Sequence, residues 1–403
     1  MRKPLVQETS DRPPTIHSNE PGSFPWSVLH DRHPELIRRV LDSNPYPPRH
    51  QHRLRLLLEQ ATGGVIEPLD DAAGDHERWR EWARPYLGKR WYDVPWLWAE
   101  SYFYRKVLAA VGYYDPGPWQ GVDPFAPIKD AELRGAGVEA ELAGLDELTD
   151  LPDVEVDRAV LEAALWGNRA DLGFRMVADG ATDAATDGAT DGATPGTIVD
   201  DSARLWSLLD PARPGKVCVI ADNAAQELLP DLILVDHLLH SGRADVVVLH
   251  VKPYPYYVSD ATTADTLACL RRLSAAHGQA SVRGQRLAEA IRTGRLTLAT
   301  HPFWCAPLTF HAMPGDLRAN FADASLTIVK GDLNYRRLVD DRVWAPTTPF
   351  GELAAYFPSA VAALRILKSD VVAGLPAPAV ETLDATSDDW RTSGSYALIQ
   401  VRS

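Results

Sequence analysis

The sequence predicts an α/β protein, in which a helical N-terminal domain precedes a three-layer α/β/α domain with a mainly parallel sheet. The first observation is a set of four short apolar runs, separated by helix-like segments, at residues 217–220, 245–251, 295–300 and 325–330. Runs of this length are typical of strands buried on both faces. The second observation is that polar residues follow each run directly. Because right-handed crossovers keep such strands parallel, their polar ends should meet at one edge of the sheet.

Helical patterns dominate the N-terminal half of the chain. Residues 33–41 and 52–60 are amphipathic with the period of a helix. Residues 94–111 form a strongly aromatic segment that carries Glu100 and Arg105. We interpret this segment as a core helix whose arginine extends toward solvent.

A helix break and a low-complexity repeat lie between the two halves. Gly167 interrupts an apolar helix, and it either caps that helix or allows Asn168 and Asp171 to face a site. Residues 179–196 repeat Ala, Thr, Asp and Gly without the glutamate that closes an EF-hand calcium loop. Since nothing in the repeat can be buried, we interpret it as a solvated linker or insertion. The predicted division is a flexible N-terminus at residues 1–20, a helical domain at 21–178, a linker or insertion at 179–196 and an α/β domain at 197–403.

The composition argues against several classes of protein. The 403 residues include 41 Lys and Arg against 55 Asp and Glu, a net charge of −14, whereas a nucleic-acid-binding surface needs an excess of positive charge. Three cysteines without CxxC spacing do not fit a zinc ribbon or a disulfide scaffold. No apolar run has the length of a membrane span, and the first residues lack the apolar core of a signal peptide. We therefore expect a soluble, cytoplasmic protein that binds neither nucleic acid nor membrane, in an oligomeric state that the sequence leaves open.

The ends of the first two predicted strands form a candidate cation site. Asp222 and Asn223 follow the first strand, and Asp260 follows the second strand after a loop rich in Pro and Tyr. Carboxylate and carboxamide oxygens are hard donors that suit a divalent cation. Alternatively, Asp222 or Asn223 caps the N-terminus of a helix, although a cap hardly explains both.

Positive charge is predicted at the same edge of the sheet. Residues 331–336, Gly-Asp-Leu-Asn-Tyr-Arg, follow the fourth strand and either belong to the cleft or form a turn that bonds its own backbone. Arg365 and Lys368 lie in an apolar segment, where a cation needs a solvated position or an anionic partner. The sequence has no GxGxxG, GxxxxGK[ST], HExxH or GxSxG motif. Oxygen donors beside Arg336 and Lys368 instead suit a phosphorylated substrate held between a metal and fixed positive charge.

These strings resemble the motifs of the damage-control phosphatase family, and in particular its acidic-residue methyltransferase-like, or sugar-phosphate phosphatase, subgroup. The most specific string is Lys-Gly-Asp-Leu-Asn-Tyr-Arg at residues 330–336. Asp-Asn-Ala-Ala-Gln-Glu-Leu at 222–228 and Val-Ser-Asp-Ala-Thr at 258–262 support it. The resemblance extends over most of the chain, through shorter matches at residues 23–24, 31–34, 95–100 and 165–168.

The resemblance implies a metal-dependent phosphomonoester hydrolase, or phosphatase, that acts on small phosphorylated metabolites, with fructose 1-phosphate and fructose 6-phosphate among typical substrates. It implies that Asp222, Asn223 and Asp260 are catalytic and bind the metal, with Mn²⁺ favoured and Mg²⁺, Co²⁺ or Ni²⁺ as further candidates. The substrate-binding residues that it implies are Glu227, Asp332, Leu333, Asn334, Tyr335, Arg336 and Lys368. Either a metal-activated water or Asp222 would attack phosphorus.

The chain departs from the subgroup in two places, at its Arg-Thr-x-Lys signature and in the Ala-Thr-Asp-Gly repeat, which resembles an insertion peculiar to this chain. The subgroup's signature Arg-Thr-x-Lys is present as Arg365-Ile366-Leu367-Lys368, so an isoleucine replaces the threonine hydroxyl. An S-adenosylmethionine-dependent carboxyl methyltransferase is disfavoured because nothing in the chain resembles a glycine-rich cofactor loop. A non-catalytic sugar-phosphate-binding protein would not need a complete set of metal ligands. Since all three candidate ligands are present, we favour the enzyme.

Overall fold

The computed structural model describes residues 12–70, 73–167 and 196–403. Residues 1–11, which make up much of the predicted flexible terminus, lie outside the described residues. Asn168, Asp171 and residues 179–195 of the Ala-Thr-Asp-Gly repeat also lie outside them, so the interpretations of these segments stay predictions.

Helices surround the sheet and make up most of the N-terminal half. The predicted helices at residues 33–41, 52–60 and 94–111 are confirmed as α2, α3 and α5. The predicted extension of Arg105 toward solvent is wrong, because its side chain is 1% exposed and pairs with Asp75 at 2.8 Å. A π-helical segment, Val28–Arg32, joins α1 to α2. The α-helices of the described residues are α1 Phe24–Ser27, α2 His33–Ser43, α3 Pro48–Gly63, α4 His76–Ala83, α5 Trp96–Ala110, α6 Ala126–Leu133, α7 Ala136–Gly144, α8 Asp153–Trp166, α9 Ser202–Ser207, α10 Leu228–His240, α11 Thr263–Ser274, α12 Gly278–Arg292, α13 Gly315–Ala322, α14 Asp332–Val339, α15 Phe350–Leu353 and α16 Ala377–Thr386.

The strands of the described residues form one mainly parallel sheet, as predicted. They are β1 Gly196–Asp200, β2 Gly215–Ile220, β3 Ala244–Val251, β4 Leu296–Thr300, β5 Leu326–Lys330, β6 Val361–Ile366 and β7 Tyr396–Arg402. Their order in the sheet is β1-β7-β6-β5-β2-β3-β4. All neighbours are parallel except β6 and β7, which pair antiparallel. The four predicted strands are β2 to β5, and they lie side by side with β2 between β5 and β3.

The strand sequence of β2 explains why the protein has three layers. Val217 and Val219 belong to the hydrophobic core on one face of the sheet, together with residues of α8 and α10. Cys218 and Ile220 belong to a second core on the other face, which contains Trp304. Side chains alternate between the faces of a strand, so a continuous apolar run needs cover on both sides. Helices and loops provide that cover, which confirms the predicted α/β/α arrangement.

The helices before the sheet divide between two cores. Helices α2 to α5 build an aromatic core that also contains Tyr256, Tyr257 and Leu333 from the C-terminal half. Helices α7 and α8 instead share the core of the sheet, where Leu161 and Leu165 pack. The helical region before the repeat is therefore not a single packing unit. The predicted domain boundaries stay a prediction, since they describe the chain by composition and not by packing.

Two expectations from composition concern the cysteines and the membrane. Cys218, Cys269 and Cys305 are buried and form no disulfide. Among the described residues, no helix combines the length and the apolar character that a membrane span requires. The cytoplasmic location stays a prediction.

A buried carboxyl group on α7 generates a prediction about stability. Glu141 is only 3% exposed, and its Oε2 has no hydrogen-bond partner among the described residues. Burial, followed by the charge of Asp231, raises the pKa of Glu141 well above its ordinary value. The unfolded chain has the ordinary pKa, so the stabilisation by the protonated form is lost as the pH rises through the folded pKa. Glu141→Gln should therefore raise the thermal unfolding midpoint at pH 8 by about 2 °C or more, equivalent to roughly 1 kcal/mol.

The control for this measurement is the exposed Glu147 of the following turn. Glu147→Gln should change the free energy of unfolding by no more than about 0.5 kcal/mol. A midpoint for Glu141→Gln that is unchanged or lower at pH 8 would show that the Glu141 carboxylate is compensated in the folded protein.

Candidate active site

A cavity of about 580 Å³ lies at the carboxyl edge of the parallel strands. One wall comes from the ends of β2, β5 and β6 and from the loop after β3. The second wall comes from α1, the π-helical segment, α2 and α5. The predicted site residues that line the cavity are Asp222, Asn223, Glu227, Asp260, Asp332, Leu333, Arg336 and Lys368.

Backbone hydrogen bonds join the ends of β2 and β3 at the candidate cation site. The N–H of Ala261 donates to the carbonyl of Asp222 at 2.9 Å, and the N–H of Ala224 donates to the carbonyl of Ser259 at 2.7 Å. Asn223 and Asp260 consequently face each other in an isolated antiparallel bridge. Two loops that are far apart in sequence therefore present their side chains to the same end of the cavity.

The carboxamide of Asn223 is fixed by its neighbours. Its Oδ1 accepts a hydrogen bond from the Ser259 hydroxyl at 2.9 Å. Its Nδ2 donates to Glu227 Oε2 at 2.9 Å and, more weakly, to Asp222 Oδ2 at 3.4 Å. Glu227 thus orients Asn223 in the structure, beside any contact that it makes to a substrate.

The two carboxylates of the candidate cation site are buried and incompletely compensated. Asp260 Oδ2 accepts a hydrogen bond from the Tyr257 N–H at 3.1 Å, and Lys252 Nζ lies 3.8 Å away. Asp222 Oδ1 is buried without a partner among the described residues. Burial and then the charges of Glu227 and Asp260 raise the pKa of Asp222 well above its usual range. Burial likewise raises the pKa of Asp260.

This environment fits a divalent cation. A cation beside the free oxygen of Asp222 would neutralise the crowded carboxylates and lower their pKa values. The donors are oxygens, as Mn²⁺ and Mg²⁺ prefer. Among the described residues, His, Cys, Asp and Glu alone form no group of three suited to a metal. The candidate set therefore consists of two carboxylates and one carboxamide.

Gly331 allows the β5 end to approach the candidate cation site. Its φ of 79° and ψ of 175° lie in a region that is essentially restricted to glycine. A Cβ atom at this position would collide with the carboxylate of Asp222. Helix α14 begins at the next residue, and the first N–H groups of a helix have no partner within it. Gly331, Asp332 and Leu333 line the cavity, so this helix N-terminus can bind an anion there.

The two cations of the segment after β6 have different environments. Arg365 is fully buried and pairs with Asp332, with Nη2 2.6 Å and Nε 2.9 Å from Oδ1. Arg365 therefore has an anionic partner, one of the two possibilities that the sequence left open. Lys368 lines the cavity and forms no ion pair within the described part of the chain. Its positive charge is available to a ligand.

The guanidinium of Arg336 lines the cavity but is largely committed within the protein. Its Nε and Nη2 donate to Asp341 at 2.7 and 3.2 Å, and its Nη1 lies 3.4 Å from Glu100 Oε2. The group also stacks on the Trp96 ring, 3.6 Å from the centroid. It offers a phosphate less net positive charge than Lys368 does.

The side chains of Asn334 and Tyr335 lie outside the cavity, which does not agree with the predicted contact to substrate. Asn334 is fully buried, and its Nδ2 donates to the carbonyls of Ala221 and Lys330 at 3.0 Å. The hydroxyl of Tyr335 donates to Gln400 Oε1 at 3.0 Å. The period of α14 turns these two residues toward the sheet. They hold the helix against the ends of β2 and β5 instead.

None of the site residues predicted from the sequence lies in the second wall of the cavity. Motifs from this wall were nevertheless part of the family resemblance. The signal that could have identified this wall is a charged residue within an aromatic helix, as at Glu100 in α5. A π-helical segment often marks a functional site, and this one places Asp31 and Arg32 at the cavity. The principal residues of this wall are Phe24, Asp31, Arg32, His33, Glu35, Trp96, Glu100 and Tyr104.

The close approach of Gly331 to Asp222 can be tested by comparing two glycines. Gly294 has a similar φ of 77°, but no atom lies within 4 Å of a Cβ built there. Gly294→Ala should therefore lower the free energy of unfolding only by the backbone cost, about 1–2 kcal/mol. Gly331→Ala adds the collision with Asp222 and a disallowed ψ, so a loss of at least about 3 kcal/mol is expected. Urea denaturation of both variants measures the difference, and equal losses would contradict the collision.

Comparison with known proteins places the chain in a family. A crystal structure of a DUF89 family protein from Pyrococcus horikoshii matches 87% of this chain and 96% of its own, with 14% identity and a TM-score of 0.46. Damage-control phosphatase ARMT1 from Danio rerio is 29% identical over 97% of this chain and 97% of its own length. The Homo sapiens protein of the same name is 28% identical over 96% of this chain and 98% of its own length. The pattern of the Damage-control phosphatase ARMT1-like domain matches residues 28–383. Because this match covers most of the chain, the chain belongs to the ARMT1-like damage-control phosphatase family, and membership implies phosphatase activity.

Proposed function

We propose that the chain is a metal-dependent phosphatase of small phosphorylated metabolites and that its substrates are sugar phosphates. The family gives the phosphatase activity, and the metal and the substrate class are the proposal. The observation that carries it is the charge pattern of the cavity, where buried carboxylates lie beside Lys368 and the N-terminus of α14. A phosphate group needs both, since a cation can bridge it to the carboxylates while fixed positive groups neutralise its other oxygens.

Asp222, Asn223 and Asp260 are the residues that would hold the metal. The unpartnered Oδ1 of Asp222 supports this assignment, because a buried carboxylate oxygen without a partner is costly unless a ligand completes it. When bound, the metal would neutralise charge on the phosphate and on an attacking water. Oxygen donors alone favour Mn²⁺ or Mg²⁺ over zinc, with Co²⁺ and Ni²⁺ as further candidates.

Lys368 and the N-terminus of α14 are proposed to bind the phosphate beside the carboxylates. Lys368 has no ion-pair partner in the described residues, whereas Arg336 shares its charge with Asp341 and Glu100. The free N–H groups at the start of α14 add hydrogen bonds without a side chain. The short reach of a helix N-terminus fixes the position of the phosphate, and Lys368 supplies most of its affinity.

The remaining volume of the cavity suits a small sugar. Aromatic and apolar side chains from Phe24, Trp96, Tyr104 and Ile366 line it, and such surfaces pack against the apolar faces of sugars. Carboxylates at the rim can accept hydrogen bonds from hydroxyl groups. A screen of phosphate release from sugar phosphates, with and without added divalent metals, tests the proposed function. Release that is independent of metal, or absent for every sugar phosphate, would contradict it.

The metal site generates a prediction about Asp222. Asp222→Ala removes a proposed ligand and one of the two candidate nucleophiles, so metal-dependent phosphate release should fall at least about a thousandfold, or roughly 4 kcal/mol. Exhaustive chelation of the wild type should have a comparable effect, reversed by added Mn²⁺. The control is Asp245→Ala at the opposite end of β3, where the side chain is exposed. Near-native turnover by a folded Asp222→Ala protein would contradict the proposed metal site and favour the alternative that Asp222 caps a helix.

The phosphate site generates a prediction about Lys368. Lys368→Met removes a charge-assisted hydrogen bond worth about 2–3 kcal/mol, so affinity for phosphate should fall roughly thirty- to two-hundredfold. Calorimetric titration of the metal-loaded protein with inorganic phosphate measures this without turnover. Metal affinity, titrated separately, should be almost unchanged.

The matched control is Lys216→Met at the amino end of β2, where Lys216 pairs with Asp323 on the surface. This variant should bind phosphate like the wild type, because an exposed ion pair contributes little. Unchanged phosphate affinity in the Lys368→Met protein would remove Lys368 from the site.

A further inference from the structure

Glu100 is a largely buried carboxyl group that lines the cavity. Its neighbours on α5, Ala99 and Ser101, are completely buried. The Glu100 side chain keeps 14% of its surface exposed, and the residue lines the cavity together with Asp222 and Lys368. A carboxyl group in this position can meet the part of a substrate that lies between the phosphate and the helical wall.

The charged and titratable groups around Glu100 come from three elements. Arg336 of α14 approaches one oxygen, Oε2, at 3.4 Å, but it bonds Asp341 more closely at 2.7 Å. Tyr104 of α5 and Tyr257 of the loop after β3 lie near enough for the charge of Glu100 to raise their pKa values. Oε1 has neither a hydrogen bond nor an ion pair with the described residues. One oxygen of Glu100 is therefore held and the other is free for a ligand.

The protonation state of Glu100 suits proton donation near neutral pH. Burial raises its pKa to about 7; Arg336 opposes this rise, and Asp341 and Asp332 add to it. A substantial fraction of the group is thus a carboxylic acid at neutral pH, which is the condition for an efficient general acid. As the pH rises above this value the proton is lost, and so is the capacity to donate it.

The other carboxyl groups of the cavity have different tasks. Asp222 and Asp260 belong to the candidate cation site, and Asp332 is neutralised by Arg365. Glu227 accepts the hydrogen bond of Asn223. Outside the candidate cation site, and within the described residues, Glu100 is a largely buried carboxyl group of the cavity that keeps one oxygen without a partner.

We propose that Glu100 is the general acid that protonates the bridging oxygen of the sugar phosphate as the bond from phosphorus to that oxygen breaks. This inference rests on the phosphatase function proposed above. The alkoxide of a sugar is strongly basic and leaves poorly without a proton. The proton passes from Glu100 to the departing oxygen, which becomes the sugar hydroxyl. The water that is consumed gives its oxygen and one proton to inorganic phosphate, and its second proton returns to Glu100 through solvent.

The test compares two leaving groups in Glu100→Gln, an isosteric variant that cannot donate an acidic proton. Turnover of fructose 6-phosphate should fall about a hundredfold or more, whereas 4-nitrophenyl phosphate, whose phenolate leaves without a proton, should stay within about threefold of the wild type. The kcat/KM of the wild type for the sugar phosphate should fall as the pH rises above about 7. This fall should be missing from the variant. Retained turnover of the aryl ester also shows that the variant is folded.

The control is Glu59→Gln, because Glu59 is exposed on α3 and does not line the cavity. It should turn over both substrates normally. Equal losses of Glu100→Gln on both substrates would overturn the general-acid role and assign Glu100 to the positioning of Arg336. Unchanged turnover of the sugar phosphate would overturn it as well. If the wild type released no phosphate from any sugar phosphate but hydrolysed the aryl ester, the proposed substrate class would fail together with the role of Glu100.

Discussion

The crowding of negative charge at the carboxyl ends of β2 and β3 is the constraint on which the rest of the site depends. Asp222, Glu227 and Asp260 are 6%, 9% and 2% exposed, and burying an uncompensated carboxylate costs several kcal/mol. Lys252 lies 3.8 Å from Asp260, and its charge opposes the rise in the pKa of Asp222 only in part. The fold tolerates this arrangement because the backbone bridge between Asn223 and Asp260 fixes both loops. The buried carboxylates lower the stability of the protein, and a bound cation would compensate their charge.

The cations near the cavity differ in whether a carboxylate of the protein pairs with them. Lys330 pairs with Asp231 at 2.9 Å, Arg365 pairs with Asp332, and Arg336 pairs with Asp341, and all three cations are buried. These pairs satisfy charges that could not be buried alone, and they fix the ends of β5 and β6. Lys368 stands apart because it follows β6 at the rim, where no carboxylate of the described residues pairs with it. Of these four cations, Lys368 is therefore the one that we propose to bind the phosphate.

The sheet was largely predictable and the walls of the cavity were not. Strands β2 and β5 are apolar runs because both of their faces are largely buried, whereas β4 is a more exposed strand at the edge of the sheet. The polar residues after the predicted strands mark the ligand edge. Strands β1, β6 and β7 were not predicted, since none of them is followed by the polar motif that marked the other four. The face of α14 was also missed, because a conserved-looking string such as residues 332–336 contains residues on all sides of a helix. The position of Glu100 at the cavity could not be predicted, because it depends on the tertiary packing of α5 against the edge of the sheet.

Ile366, which replaces the subgroup's threonine, changes the chemical character of the cavity wall. Ile366 is half-buried at the end of β6 and lines the cavity between Leu364 and Lys368. Both residues are β-branched, so the strand keeps its shape, but a hydroxyl that could bond a phosphosugar becomes a hydrocarbon surface. A polar contact can reject a substrate that lacks its partner by several orders of magnitude, whereas an apolar contact discriminates weakly. Under the proposed function, recognition at this position therefore depends on shape, and we propose Lys368 and the first turn of α14 for the polar recognition of the phosphate.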